Sequence, residues 1–313
     1  MFNILFYNNT NYMYIQQFKY VATNKMNMLY HGEVVCTGIK NNGENCTNKS
    51  YYYQDGPKCG VHSKDGCRTS LLKNPGAKLI KEISIKNHIE CCDNLAKVRN
   101  EQMQRGKVIC YRMMMMRDSG IVEDFINVFP NYKHGNRKDG IGMPSLSPMS
   151  MGPIDHKQPG LPPAKNLENF HQGNKVFASE IDKNGDPMDS FFETQLAMYN
   201  DEIPHRHKTS STGVGKARNI PKYSIWIKPD GKYCKLSYIE SRQLYCKYYE
   251  RFCHNSADFS KLKSLLKDGY NLRICGYDGH AIEGKTLLEW YDSDETPFGH
   301  EIVLYTMLTV DDE

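Results

Sequence analysis

The chain has 313 residues, a net charge of +4 and a hydrophobic content of 39%. A charge this small excludes a histone-like, strongly basic nucleic-acid binder, and an aromatic content of 11% argues against a wholly disordered chain. No apolar run approaches the length of a membrane span, and the first residues lack the regions of a signal peptide, so we expect a protein that is neither transmembrane nor secreted.

The first predicted module is a small metal-binding unit. Eleven cysteines in a long chain without an export signal favour metal ligation over disulfides. Residues 1–28 are expected to be a poorly ordered extension and residues 29–68 a zinc knuckle, in which Cys67 is an alternative to the histidine ligand. The candidate ligands have the spacing Cys-x9-Cys-x12-Cys-x2-His and are Cys36, Cys46, Cys59 and His62. Three thiolates and one imidazole suit a tetrahedral zinc ion, and four protein ligands predict a structural site.

The next predicted part, residues 69–169, is helical at first and then rich in proline and glycine. Over residues 71–89 the apolar positions predict a helix or a strand, interrupted near Pro75 and Gly76. Residues 130–163 contain seven of the fourteen prolines, which excludes a regular helix. We expect this segment to wrap in an ordered way over the rest of the protein, with a plain linker as the alternative. Its apolar anchors are Phe129, Ile141, Met143, Leu146, Met149 and Ile154.

Residues 170–313 are expected to form a C-terminal domain of α/β or α+β class, because predicted strands and helices alternate there. Ser237 and Glu240 have capping-box spacing, which predicts the start of a helix. The strand NLRIC is expected to be central and buried. The predicted elements are a hairpin over 223–237, helices over 238–253 and 258–268, a strand over 270–276 and a last helix over 299–308.

The carboxyl end of the 270–276 strand is the best candidate for an enzymatic site. In open α/β sheets, ligands bind beyond the carboxyl ends of the strands. This end is followed by Asp278 and His280, which are suited to act as a base or as an orienting group. His300 and Glu301 are expected at a helix N-terminus, where unpaired N–H groups favour an anion. The alternative to a ligand-binding pocket is that the first segment is only a glycine turn and the second only caps a helix, with their polar side chains exposed to solvent.

Three other segments give weaker signals. Residues 204–208 place two imidazoles beside two cations, which is more typical of a solvated loop than of a phosphate or metal site. Residues 182–193 have the spacing of a calcium loop, but Pro187 replaces the glycine of its turn, and a strand-turn-helix with Asp189 as the cap explains them better. Basic residues interleaved with the aromatic Tyr132 suit contact with nucleic-acid phosphates and stacking on bases, but the small excess of positive charge makes this the less favoured interpretation. These basic residues are His134, Arg137 and Lys138.

In the first module, the motif CTGIKNNGENC…GPKCGVH resembles the short Cys-Cys-Cys-His zinc knuckles of proteins from giant nucleocytoplasmic DNA viruses of the mimivirus type. The stretch from FINVFPNYKHG to NFHQGNKVF, with YIESRQLYCKYYERF and NLRICGYDGH…PFGHE, resembles an uncharacterised group of proteins in the same viruses. The likeness covers most of residues 30–308. It implies a viral protein of the host cytoplasm or the virion, but it implies no activity.

Two classes of function remain open from the sequence. In the first, the protein is an enzyme that acts on a nucleotide or nucleic-acid substrate through a C-terminal pocket containing the four candidate catalytic residues. In the second, it is a non-catalytic, zinc-bearing interaction or virion-associated protein. One concave pocket that gathers the candidate residues favours the enzyme, whereas their dispersal over a convex face favours the interaction protein.

Overall fold

In the computed structural model, the chain forms two compact units, residues 1–90 and residues 91–313. Among the residues that the structure describes, no helix is long and apolar enough to cross a membrane. The extension expected over residues 1–28 lies outside the described residues. The described residues are 36–48, 52–53, 57–59, 61–62, 69–70, 75–113, 121–122, 124–211, 219–282, 284 and 286–310.

The first unit contains a small antiparallel sheet. Strands β1 (Tyr52–Tyr53), β2 (Pro57–Lys58) and β3 (Thr69–Ser70) pair in the order β2-β1-β3. Helix α1 (Pro75–Glu101) follows in the chain. Pro75 begins this helix rather than interrupting it, because the first helical residue has no intrahelical use for an N–H and the fixed φ of proline suits that position.

The second unit is a mixed α/β fold, which confirms the predicted fold class. Its strands are β4 (Val108–Arg112), β5 (Ile126–Phe129), β6 (Ile141–Gly142), β7 (Lys175–Val176), β8 (Tyr223–Ile227), β9 (Tyr233–Leu236) and β10 (Leu272–Gly276). Its further helices are α2 (Leu167–Gly173), α3 (Asp189–Asn200), α4 (Lys208–Ser211), α5 (Tyr238–His254), α6 (Ala257–Lys267), α7 (Leu287–Asp292) and α8 (His300–Val310).

A parallel sheet forms the centre of the second unit. Its strands pair in the order β4-β10-β5-β6, and all three pairings are parallel. Every residue of β10 is buried, which confirms that this strand is central and buried. Although β10 lies in the predicted C-terminal domain, the other three strands of its sheet come from residues 108–142. The sheet therefore combines strands from both sides of the boundary expected at residue 170.

The proline-rich segment packs into this unit along an irregular path. It supplies β6 and short 3₁₀ turns at Tyr132–His134 and Pro144–Leu146. Ile141 and Met149, two of the predicted anchors, are only partly buried. The other anchors are buried: Phe129, Met143, Leu146 and Ile154. Their burial agrees with an ordered wrap rather than a plain linker.

The predicted hairpin and helix starts follow local sequence signals. Strands β8 and β9 form the hairpin, and β7 pairs antiparallel with β8. Ser237 Oγ accepts the N–H of Glu240 while the carboxylate of Glu240 accepts the N–H of Ser237, so the predicted capping box begins α5. The prediction that Asp189 is the N-cap of α3 is wrong by one residue. Its N-cap is Met188, and Asp189 is the first helical residue, where a negative charge still interacts favourably with the helix dipole.

Candidate functional site

The predicted zinc ligands lie together in the first unit. Cys36 and Cys46 flank a loop closed by backbone hydrogen bonds, and Cys59 and His62 lie on one tight turn after β2. The three Sγ atoms and one imidazole nitrogen all lie within 4.8 Å of one another, and the three thiols are buried. This group could hold a metal ion. Cys67, the alternative ligand, lies outside the described residues.

The distances between the ligand atoms fit a tetrahedral metal ion. The Sγ atoms of Cys46 and Cys59 are 3.9 Å apart. His62 Nδ1 lies 3.5 Å from Cys36 Sγ and 3.3 Å from Cys59 Sγ. Zinc–sulfur bonds of about 2.3 Å and zinc–nitrogen bonds of about 2.0 Å give tetrahedral edges of about 3.8 Å between two sulfurs and about 3.5 Å between sulfur and nitrogen. The three distances match these edges, and the remaining pairs of ligand atoms lie within 4.8 Å of one another.

Backbone groups hold the imidazole of His62 in a ligating orientation. Its Nε2 lies 3.0 Å from the carbonyl oxygen of Ile39, so Nε2–H donates there and the lone pair of Nδ1 is left for a metal. A Cβ added at Gly38 would lie 2.3 Å from His62 Cγ, so a glycine is needed for the ring to approach this closely. Burial opposes ionisation of Cys59, but hydrogen bonds from the backbone N–H groups of His62 and Val61 help to lower the pKa of this thiol to about 6.

The second candidate site is a cleft of about 570 Å³ beyond the carboxyl end of β10, which we name the β10 cleft. Its volume lies in the range of small-molecule sites. Three of the four predicted catalytic residues line it, namely Asp278, His300 and Glu301. Other walls come from residues 131–134, 147–149, 168–175 and 221–224, from Arg206 and from the first half of α5. The structure therefore gathers most of the predicted catalytic set around one concavity.

Glu301 places a buried carboxylate in the β10 cleft. The residue is 1% exposed, and within the described part of the chain its Oε2 has no hydrogen-bond partner. A Cβ added at Gly276 would lie 1.8 Å from Oε1, and one added at Gly299 would lie 2.7 Å from Oε2. These two glycines, at the end of β10 and just before α8, therefore leave the space that the carboxylate occupies. Glu301 also lies in the first turn of α8, where a negative charge is favoured.

His300 and Asp278 lie beside this carboxylate. His300 Nε2–H donates to the carbonyl oxygen of Pro130 at 3.0 Å, and Nδ1 lies 3.3 Å from Glu301 Oε2. The latter contact is not aligned as a hydrogen bond, so it becomes attractive only when the imidazole is protonated. A Cβ added at Gly299 would lie 3.4 Å from Asp278 Oδ2, so the carboxylates of Asp278 and Glu301 both lie close to the Cα of Gly299. Among the described residues, the Asp278 carboxylate has no hydrogen-bond or ion-pair partner.

His280 lies apart from the other predicted catalytic residues. Its ring stacks on that of Trp290, with the centroids 6.0 Å apart, and it is not among the residues that line the β10 cleft. Burial and the neighbouring Arg112 lower the pKa of His280, although Asp278 and Glu301 oppose that shift. The described geometry gives His280 a packing contact with Trp290 rather than a place in the lining of the cleft.

A polar stripe that the sequence analysis missed forms another wall of the cleft. Its members are spaced i, i+3, i+4 and i+7 along α2 and the start of β7: Glu168, His171, Gln172 and Lys175. Burial lowers the pKa of Lys175 to about 8, although the nearby Glu168 and Asp278 oppose this. Burial also lowers the pKa of His171 well below its usual value, and Lys175 adds to the effect. The helical spacing is visible in the sequence, but nothing in it shows that this face borders the same cleft as the residues after β10.

Two weaker predictions have mixed outcomes. In the segment 204–208, expected to be a solvated loop, His207 is buried with its Nε2 3.1 Å from a carboxylate oxygen of Glu180, so that expectation is wrong for this residue. In the basic segment near Tyr132, Arg137 pairs with Asp139 at 2.6 Å. Its guanidinium also lies over a buried phenylalanine ring, so it is committed to the fold rather than open to phosphate.

Comparison of the chain with protein-family models, with curated proteins and with solved structures finds no match. The resemblance to giant-virus proteins, and the location that it implies, remain predictions.

Proposed function

We propose that the protein is an enzyme that binds a nucleotide-like substrate in the β10 cleft, and that Glu301 and Asp278 supply its acid–base chemistry. In this proposal Glu301 gives or takes a proton at the reacting centre. Asp278, at the end of the same central strand, orients the substrate or the attacking water. His300, fixed by its bond to Pro130, adjusts the charge beside Glu301.

The proposal rests on the buried Oε2 of Glu301, which accepts no hydrogen bond among the described residues and has the imidazole Nδ1 of His300 beside it at 3.3 Å. Leaving a buried polar atom without a partner costs about 1–3 kcal/mol, and more for a charged group. A helix-capping role does not require that cost, because an exposed glutamate in the first turn would interact with the helix dipole equally well. An unpartnered carboxylate oxygen at a cleft is, in contrast, what a group that bonds its substrate needs.

The other walls of the cleft favour a substrate with phosphate and an aromatic ring. Cationic groups border it at Lys133, Lys175, Arg206 and Lys222, which suits a phosphate. Aromatic side chains on its other walls suit a planar base: Tyr132, Tyr223, Tyr238, Tyr245, Tyr277 and Phe298. The carboxylates of Glu168, Asp278 and Glu301, which also line the cleft, suit the hydroxyl groups of a sugar that links the phosphate to the base.

The experiment is a thermal-shift screen of the full chain with nucleotides and sugar phosphates, followed by product analysis of each compound that raises the Tm. We expect a hit to bind wild type and to be consumed by it. Glu301→Gln should lose turnover by at least 100-fold, the usual lower bound for an acid–base group. Glu193→Gln, at an exposed carboxylate of α3, is the matched control. Absence of any binding compound, or equal turnover by Glu301→Gln, would favour the non-catalytic interaction protein.

For the first unit, we propose that the metal is zinc and that its role is structural. Three thiolates and one imidazole are a common zinc set, and they leave no position for a substrate. The loops around them are polar, so metal binding replaces the core that they lack. Protein purified without chelator should contain about one zinc per chain. Cys59→Ser should lose it, whereas Cys234→Ser, at a cysteine outside the group, should keep it; zinc-free wild-type protein would refute the assignment.

A further inference from the structure

A second concavity lies on the neighbouring face of α5. It has a volume of about 360 Å³ and is bordered by residues 155–157, by Trp226 of β8 and by one face of α5. We name it the α5 pocket. The α5 residues that line it have the spacing i, i+3, i+4, i+7 and are Leu244, Lys247, Tyr248 and Arg251. The β10 cleft takes a different face of the same helix, with Tyr238, Ser241, Arg242 and Tyr245. The two concavities are therefore separate sites.

The α5 pocket has an aromatic wall that is fixed by the core. The buried ring of Phe170 makes edge contacts with both Trp226, at 6.5 Å between centroids, and Tyr248, at 5.0 Å. Trp226 is only partly buried, so part of its indole borders the pocket. His156, which also lines the pocket, donates to the carbonyl oxygen of Pro162 and accepts the N–H of residue 158. Its two ring nitrogens are thus used within the protein, and it acts as part of the wall.

The pocket also has an excess of positive charge. Lys157 pairs with Asp155, the one carboxylate in the lining, at 2.5 Å. The side chains of Lys247 and Arg251, one helical turn apart, are exposed and have no hydrogen-bond or ion-pair partner among the described residues. The hydrogen bond from Lys157 lowers the pKa of the Asp155 carboxyl, and Arg251 also attracts that carboxylate and adds to the effect. The lining still has two more cations than carboxylates, and these cations next to a partly exposed indole form a site for a group that combines an anion with a flat ring.

We infer that the α5 pocket binds one nucleotide unit, with the phosphate on Lys247 and Arg251 and the base against Trp226. The unit can come from a free nucleotide or from a single-stranded nucleic acid, since the chemistry is the same. The cations favour any anion, but the indole favours a base over an acidic peptide. This inference is independent of the proposed activity of the β10 cleft, and either can fail without the other.

The test measures fluorescence polarisation of a labelled oligothymidylate, with unlabelled AMP and polyglutamate as competitors. The double variant Lys247→Ala/Arg251→Ala should weaken binding about tenfold or more and reduce the slope of log affinity against log salt by about 0.7, for one neutralised phosphate on a single strand. The matched control, Lys261→Ala/Lys267→Ala, removes two exposed lysines of α6 and should bind as wild type does. Asp278→Asn, the variant expected to lose ligand binding in the β10 cleft, should still bind the strand normally, which separates this site from the β10 cleft.

The outcomes distinguish the sources. If wild type binds the oligothymidylate and only Lys247→Ala/Arg251→Ala loses this binding, the ligand is a nucleic-acid strand. If wild type binds AMP but not the oligothymidylate, and the same double variant loses AMP binding, the ligand is a free nucleotide. Tryptophan fluorescence should be quenched in either case, because the base stacks on Trp226. The inference is overturned if neither probe binds or if Lys247→Ala/Arg251→Ala binds as tightly as wild type. It is also overturned if polyglutamate and AMP, compared at the same concentration of negative charge, displace the strand equally effectively.

Discussion

Gly276→Ala tests directly whether the Glu301 carboxylate occupies the end of β10. The added Cβ would lie 1.8 Å from Oε1, 2.2 Å from Cγ and 2.3 Å from Cδ of Glu301. Non-bonded heavy atoms prefer about 3.5–4.0 Å, so the side chain must move by more than about 1 Å. Glu301 lies in the first turn of α8, and the residues that follow it are fully buried, so it cannot simply rotate away with its backbone.

The cost of that overpacking is about 1–3 kcal/mol. For a unit of this size each kcal/mol corresponds to about 2–4 °C, so the Tm should fall by about 2–12 °C. Differential scanning calorimetry measures it. Gly135→Ala is the matched control, because its added Cβ would lie 3.4 Å from the nearest atom and should leave the Tm nearly unchanged.

A double-mutant cycle with Glu301→Ala then identifies the cause. Removing the carboxylate also removes the clash, so Gly276→Ala should cost less than half as much in the Glu301→Ala background as in wild type. If the cost is the same in both backgrounds, or if Gly276→Ala is harmless in wild type, the carboxylate does not lie against β10. The proposed acid–base role of Glu301 would then lose its geometric basis.

Three further predictions follow from the same unit. Asp278→Asn should abolish the thermal shift caused by a ligand of the cleft while leaving the Tm of the free protein nearly unchanged, and a fall of several degrees would instead indicate a structural role. Burial lowers the pKa of Lys175 from 10.5 to about 8, so between these two pH values the unfolded chain binds one proton more than the folded protein does. The stability of wild type relative to Lys175→Met should therefore increase as the pH rises from about 8 to 10.5. Urea denaturation at each end of the window measures this difference, and a constant difference would contradict it. Residues 130–163 should resist limited trypsin digestion, because their apolar anchors are packed; rapid cleavage into two stable fragments would show a plain linker.

Much of the local structure was predictable because it depends on neighbouring residues. The capping box at Ser237 and Glu240 began α5 as expected, and the Pro-Asp-Gly turn gave the hairpin of β8 and β9. The metal-binding group was predictable for the same reason. Cys59 and His62 are close in sequence, and soft ligands at that spacing have few other uses.

The composition of the β10 cleft was only partly predictable. Asp278 and Glu301 were found because both follow simple local rules, the end of a buried strand and the start of a helix. His280, two residues beyond Asp278, was expected beside it, but the turn directs its ring onto Trp290 instead. The stripe that ends in Lys175 was missed, because helical spacing shows which residues share a face and not what that face meets.

The sequence by itself determined the turns, the helix starts, the mixed α/β class and the four residues that could hold a metal ion, since each depends on contacts over a few tens of residues. Tertiary structure alone decided which strands flank β10 and which side chains share its cleft. Parallel pairing of β10 with β4 and β5 joins residues more than 140 positions apart, and no local pattern specifies such a partner. The space for the Glu301 carboxylate was decided in the same way, because Gly276 leaves room for it only after β10 and α8 have packed together.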